Sequence, residues 1–286
     1  MEVWYATFTE PATGTGGWVH CEVAAPAGGG PAHGHGWVAL FPPGRPPMVE
    51  RFGPGPPTRR PDRWFDAAGA VMGPGVLSGP GWDVRFDGGG PPLWTFPAWA
   101  WDREVLPGAQ VVPEPTTRFH GWAEVAGERV ELRGAPGAVA HIYGHGNAER
   151  WGWLHADLGD GDVLEVVTAV SRRPGLRRLP PLALVQLRLD GRDWPAEPLA
   201  AAPLFRTRLG LPEWSVRGAV GRRRLEVDVR VPPEASVVLD YADPDGAPAR
   251  CTNSERADAV VRLRDGGEVR EWRLEGSAHA EVGTRD

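Results

Sequence analysis

A chain of 286 residues is long enough for two domains of about 140 residues, each burying a sizeable core. Its formal charge of −6, with no long basic run, gives no electrostatic footprint for nucleic acid. All 31 basic residues are arginine, which excludes chemistry through a lysine Schiff base or a pyridoxal phosphate linkage. Cys21 and Cys251 lie in opposite halves without ligand spacing, so neither a disulfide framework nor a thiolate metal site is expected. The opening Met1-Glu2-Val3-Trp4-Tyr5 has no basic leader or apolar h-region, and no run is long enough to span a bilayer. These features predict a cytoplasmic protein with no transmembrane segment.

Taken in order, the chain reads as short strands with a period of two, punctuated by Gly, Pro and Asp. In the run 17–23, Trp18, His20 and Glu22 share one face and Val19, Cys21 and Val23 the other. The run 32–41 places His33, His35 and Trp37 together. Residues 53–97 carry Pro and Gly clusters around Trp64, Trp82 and Trp94. They read as long loops and short strands, a lid over the first module, with a short helix near 59–70. In 119–125, His120, Trp122 and Glu124 share a face, and 122–125 with 129–132 form a hairpin around Ala126-Gly127-Glu128. Gly134-Ala135-Pro136-Gly137 reads as a linker.

The stretch 141–158 is the densest in His and Trp. His141, Tyr143 and His145 share a face, as do Trp151, Trp153, His155 and Asp157, opposite Leu154, Ala156 and Leu158. Further on, Leu225-Glu226-Val227-Asp228-Val229-Arg230-Val231 alternates throughout, as expected for an antiparallel sheet with one wet face. Tyr241-Ala242-Asp243-Pro244-Asp245-Gly246 is a turn, and 259–264 with 268–274 pair around Asp265-Gly266-Gly267.

Gly152-Trp153-Leu154-His155-Ala156-Asp157-Leu158 echoes Gly17-Trp18-Val19-His20-Cys21-Glu22-Val23, 135 residues earlier (152 − 17). The simplest account is one module used twice, as domains 1–136 and 137–286. The fold class is all-β: two tandem antiparallel barrels or strongly curved sheets.

Seven of the eight histidines lie on strand-like runs whose same face carries Trp, Tyr or a carboxylate. A barrel lined this way is an aromatic cavity with a few polar groups, suited to a small molecule. Imidazole beside a carboxylate handles protons near neutral pH, and aromatic faces stabilise a carbocation. The same face would equally pack the base of a barrel, with Trp filling volume and the polar groups bonded to each other. For His20 with Glu22 that structural role is favoured. For the central stretch function is favoured, because His145, Asn147 and Glu149 sit on a Gly-flanked segment. His33-Gly34-His35 and His141 with His145 are the only metal-like pairings, and no HExxH or carboxylate cluster accompanies them, so no metal is assigned. No G-x-S-x-G elbow is present, and Gly28-Gly29-Gly30 is no dinucleotide fingerprint. Arg172, Arg173, Arg177 and Arg178 read as a solvated loop or a grip for a phosphate or an acidic carrier protein.

At His145-Gly146-Asn147, Trp151-Gly152-Trp153 and the lipocalin-type Gly16-Gly17-Trp18, the sequence resembles the tandem lipocalin-like superfamily. That superfamily contains carotenoid 1,2-hydratase, tocopherol cyclase and related polyketide Diels-Alderases. The resemblance implies two lipocalin-like domains, no cofactor and a long apolar substrate. It makes His145 and Trp151 pocket residues and Asp157 a candidate acid. Ala148-Glu149-Arg150 intervene where the hydratase pattern runs on directly.

The leading expectation is therefore a cofactor-independent isomerase, cyclase or hydratase acting on an apolar polyene, terpenoid or polyketide of secondary metabolism. His145, His155, Asp157 and Glu149 are the expected catalytic residues. Asn147, Trp151, Trp153, Tyr143, His141, Trp18, His35, Trp37 and Trp122 are the expected substrate contacts. The rivals are a non-catalytic lipid- or pigment-binding protein on the same fold, and a filled barrel serving as a scaffold.

Overall fold

The computed structural model describes residues 1–103 and 108–285. In chain order the strands are β1 (Glu2–Glu10), β2 (Thr15–Ala24), β3 (His33–Phe41), β4 (Met48–Gly55), β5 (Phe65–Ala67), β6 (Ala70–Gly73) and β7 (Val76–Gly79). There follow β8 (Trp82–Asp87), β9 (Leu93–Trp94), helix α1 (Ala98–Asp102), β10 (Gly108–Val125), β11 (Glu128–Gly144), β12 (Arg150–Gly159), β13 (Asp162–Val170) and β14 (Leu182–Leu189). The chain ends with β15 (Arg192–Trp194), helix α2 (Pro198–Ala201), β16 (Phe205–Arg208), β17 (Glu213–Val220), β18 (Arg223–Arg230), β19 (Val237–Ala242), β20 (Pro248–Asp265) and β21 (Glu268–Thr284).

These strands form two antiparallel sheets, as the period-two pattern predicts. The first runs β4-β3-β2-β1-β11-β10-β8-β7-β6-β5, with β9 also on β10. The second runs β15-β14-β13-β12-β21-β20-β18-β17-β16, with β19 also on β20. In each, a long closing hairpin returns so that its last strand pairs with the first: β11 with β1, β21 with β12. Each sheet then curls until its ends touch, β5 against β3 and β4 in one and β16 against β14 in the other. Two-residue turns set the registers. Ala126-Gly127 and Asp160-Gly161 have positive φ at both positions, the type I′ geometry that matches strand twist.

Each barrel has its own core. In the first, Phe8, Val19, Leu40, Phe65, Met72, Leu77, Trp82, Val84 and Phe119 pack together. In the second, Leu154, Leu164, Val166, Val185, Leu187, Leu225, Val227, Val229 and Val261 do so. A fully buried side chain of this size contributes roughly 1.5–3 kcal/mol. The alternating run in β18 behaves as expected, with Leu225, Val227 and Val229 in this core.

Three expectations are corrected. Residues 53–97 are no lid. β5 to β8 complete the first barrel and place Phe65, Met72, Leu77, Trp82 and Val84 in its core. No helix forms at 59–70, where a loop leads into β5 and the hairpin β5–β6. Gly134-Ala135-Pro136-Gly137 is no linker, since it lies within β11 and Gly137 pairs with Phe8 of β1. A Cβ on Gly137 would lie 1.9 Å from the Thr7 carbonyl oxygen, so this glycine answers a close strand approach. The chain passes from the first compact unit to the second after Gly146. Trp94–Arg103 belongs to the second unit and Ala242–Ala247 to the first.

The sequence echo also falls on non-equivalent strands. Sheet order matches β1 with β12 and β2 with β13, yet the echo compares β2 with β12. Its physical basis is local: Gly17 leaves room for the Phe8 ring and Gly152 for Leu209, while Trp-x-His lines the opposite face. Among the described residues no helix is long and apolar enough to cross a membrane.

Candidate functional site

The face of each sheet turned away from its apolar core carries buried polar side chains. In the second domain the registers align them in rows. His279 of β21, His155 of β12, Glu165 of β13 and Gln186 of β14 form one row. Asn253 of β20, Glu281 of β21 and Trp153 of β12 form the next. Strand alternation explains the placement, because Leu154, Leu164, Val166, Ala278 and Ala280 fill the core from the other side.

Glu165 is fully buried and bonded through both oxygens. Oε1 accepts the Trp153 Nε1–H at 2.6 Å, and Oε2 lies 3.0 Å from His155 Nδ1. A carboxylate at Nδ1 holds the ring as the Nδ1–H tautomer and leaves Nε2 as the proton-exchanging nitrogen. Nε2 is buried and has no hydrogen-bond partner among the described residues. Beside it, with ring centroids 5.9 Å apart, sits His279, whose Nδ1 is 2.5 Å from Glu255 Oε2. Glu255 faces His279 because the β20–β21 register breaks between Ser254 and Ala257. Two acid–imidazole pairs thus lie on adjacent strands. Trp151 borders them. Its Nε1 donates to Glu281 Oε1 at 2.7 Å, and its ring covers Gly283, where a Cβ would come within 2.0 Å of it. Among the described residues, neither amide atom of the fully buried Asn253 is hydrogen-bonded, and Gln186 Oε1 likewise has no partner. Each such orphan costs about 1–3 kcal/mol.

The first domain carries a second cluster on β2 and β3. Glu22 Oε2 is 3.5 Å from His20 Nε2 and 3.9 Å from His35 Nε2. Trp37 stands edge-on to both rings, at 5.2 and 5.3 Å, and Trp18 lies 5.0 Å from His20. Burial alone would raise the Glu22 pKa, but the His20 hydrogen bond and the two imidazole charges outweigh it and hold the carboxyl below its usual range. Burial lowers His35 to about 4 against the pull of Glu22, so its ring is neutral at pH 7.

Of the expected catalytic residues, the structure brings only His155 into a buried cluster. His145 is exposed in the segment after β11, and Asn147 is half-buried two residues on. Glu149 pairs with Arg177 at 3.3 Å. Asp157 shares the His155 face, but its Oδ1 accepts the Gly159 N–H at 2.9 Å, capping the β12–β13 turn. Among the expected contacts, Trp151 and Trp153 join the second-domain cluster, and Trp18, His35 and Trp37 the first-domain one. His141 and Tyr143 face the first barrel's interior. His141 stacks on Trp4 at 3.5 Å and Trp4 on Trp64 at 4.6 Å, and burial lowers His141 to about 3. Trp122 lies apart, its ring covered by the Arg129 guanidinium at 4.1 Å.

Glu165, Glu255, His279, Glu281 and Asn253 were not among the expected residues. A signal existed for some of them. Glu165 is the one charge inside Val163-Leu164-Glu165-Val166-Val167, and His279-Ala280-Glu281 repeats the His-x-Glu of His20-Cys21-Glu22. Among the described residues, no three His, Cys, Asp or Glu side chains are grouped to hold a metal ion.

Comparison with known proteins places this chain among relatives. Along its whole length the chain is 55% identical to the uncharacterized protein Rv0493c of Mycobacterium tuberculosis, covering 86% of it. Among solved structures it is similar to CghA bound to Sch210972 (TM-score 0.64, 16% identity, 99% of this chain and 87% of that one). It is also similar to a putative AttH from Nitrosomonas europaea (TM-score 0.55, 14% identity, 99% and 92%). Kievitone hydratase from Nectria haematococca matches at TM-score 0.54 and 10% identity, over 98% and 88%. These likenesses carry the two-domain lipocalin-like fold. The model of the tocopherol cyclase-like family matches residues 81–284, and the chain belongs to that family.

Proposed function

We propose that the protein is a proton-transfer catalyst of the cyclase, isomerase or hydratase type, acting on an apolar unsaturated molecule. The observation that carries this is His155: a buried imidazole, fixed at Nδ1 by Glu165, whose Nε2 has no hydrogen-bond partner among the described residues. Protonated, Nε2 would deliver its proton to a carbon–carbon double bond, and the resulting cation would sit against the indole faces of Trp151 and Trp153. An internal hydroxyl or a water then adds to the cation, and its proton returns to imidazole, with His279–Glu255 as the neighbouring acceptor. The product is an isomer of the substrate or is heavier by one water. No electrons change hands, so the step calls for no redox partner. Asn253 and Gln186 offer donor and acceptor atoms for the polar end of such a molecule. Membership of the tocopherol cyclase-like family and the structural similarity to kievitone hydratase support this reaction class.

The test is to incubate the full chain with a panel of prenylated phenols and acyclic polyenes and to follow product mass. His155→Gln is expected to lower turnover by about 100- to 10,000-fold while the protein still folds. A His155→Gln variant with undiminished turnover would remove His155 from the mechanism. Recovery of a bound apolar ligand unchanged, with no product from any substrate, would favour the binding-protein reading instead.

A further inference from the structure

Between β13 and β14 the chain runs Ser171-Arg172-Arg173-Pro174-Gly175-Leu176-Arg177-Arg178-Leu179-Pro180-Pro181, and Leu182 opens β14. Leu176, Leu179 and Leu182 are 40%, 54% and 44% exposed. Arg173, Arg177 and Arg178 are exposed beside them, and the loop contains no acidic residue. It is not a featureless coil. Leu176 N–H donates to the Arg173 carbonyl and Leu179 N–H to the Leu176 carbonyl, both at 3.0 Å, so two successive turns present the leucines at a spacing of three. Arg177 Nε also donates to the Arg172 carbonyl at 3.1 Å. Glu149 neutralises one guanidinium through Arg177, and Arg173 and Arg178 stand exposed on a protein of net charge −6.

A single exposed leucine is ordinary, and a cluster of arginines usually means a solvated loop. The interleaving of the two narrows the choice of partner. An acidic protein face would satisfy the guanidinium groups and leave three leucines in water. An apolar groove would bury the leucines and strip water from the arginines. An anionic bilayer surface accommodates both, with headgroup phosphates meeting the arginines and the leucines entering the acyl boundary. We infer that the loop 171–182 docks this protein on an anionic phospholipid surface. This binding surface is independent of the proposed reaction.

Flotation of the full chain with vesicles of phosphatidylcholine alone, or mixed with phosphatidylglycerol, tests it. Binding is expected only to the mixed vesicles and weakens as salt is raised. R173Q/R178Q is expected to lower partitioning about 25-fold, roughly fivefold per arginine. L176S/L179S is expected to lower it by about tenfold or more. Both variants should keep the wild-type melting temperature, since the side chains are exposed. Absence of wild-type binding to the mixed vesicles overturns the inference, as does binding indifferent to R173Q/R178Q. Unchanged binding by L176S/L179S overturns it too, because charge alone would then be acting, as toward an acidic carrier protein.

Discussion

The two domains solve the same packing problem with different polar chemistry. In the first, one carboxylate, Glu22, is shared by two imidazoles at 3.5 and 3.9 Å, and His35 is held neutral by burial. In the second, each imidazole has its own carboxylate, at 3.0 Å for His155–Glu165 and 2.5 Å for His279–Glu255. The Trp153 indole further fixes Glu165. A shared acid at 3.5 and 3.9 Å holds its rings more loosely than a dedicated acid at short hydrogen-bond distance, which selects tautomer and orientation. The comparison sets His155–Glu165 apart, because its acid is bonded through both oxygens, to His155 and to Trp153. On our proposal the second domain would carry the chemistry, through His155 and Glu165, and the first a structural polar network.

The largest expected effect sharpens this contrast. Glu165→Gln keeps the volume but presents an amide to His155 Nδ1, and turnover should fall about 10,000-fold, the scale seen when a tautomer-fixing acid is lost. A loss below tenfold would break the comparison. Glu255→Gln acts on the neighbouring pair, and its expected cost is about 10- to 100-fold in kcat, with KM little changed.

A smaller effect concerns acid stability in the first domain. His141 and His35, at about 3 and 4, bind the proton less tightly in the fold than in the unfolded chain. Below about pH 6.5 the unfolded state therefore takes up more protons, and stability falls as pH is lowered until both groups are protonated. Glu22, depressed as well, adds to the loss with the same sign below its ordinary range. His141→Phe keeps the stack on Trp4 and removes one titrating group. Its melting temperature should fall less between pH 6.5 and 3 than that of the parent, by a few degrees at this chain length. Identical pH profiles would assign the proton uptake elsewhere. Smallest of all, Glu22→Gln should change turnover by less than about fivefold. A loss matching that of Glu165→Gln would mean that both clusters serve the reaction.

Much of the fold was legible in the residues. Strict alternation in 225–231 and Gly-containing turns such as Ala126-Gly127 have a local cause, and the strands and hairpins followed them. The boundary was not legible, because Gly137 looks like linker punctuation while its actual cause is the Thr7 backbone pressing from β1, far off in sequence. The same division holds for the site. The shared face of Trp153 and His155 follows from period two. Their partners arrive from β13, β20 and β21 through sheet pairing that no spacing encodes, so the pairings with Glu165, Glu255 and His279 emerged only with the registers. His145 and Glu149 stood out in the sequence by density and by their Gly-flanked segment, and the chain leaves them outside the buried cluster.

The closure of the barrels has a mechanical consequence. In each sheet the final contact, β5 with β3 and β4 or β16 with β14, is made by packing, and no backbone ladder joins those strands among the described residues. A cylinder zipped everywhere but along one line has a preferred crack. Under load or thermal agitation each barrel should part there first, so amide exchange in β5 and β16 should outpace that in β12 and β21. The paired wall that holds His155 against Glu165 would then stay rigid while the opposite side of the barrel yields.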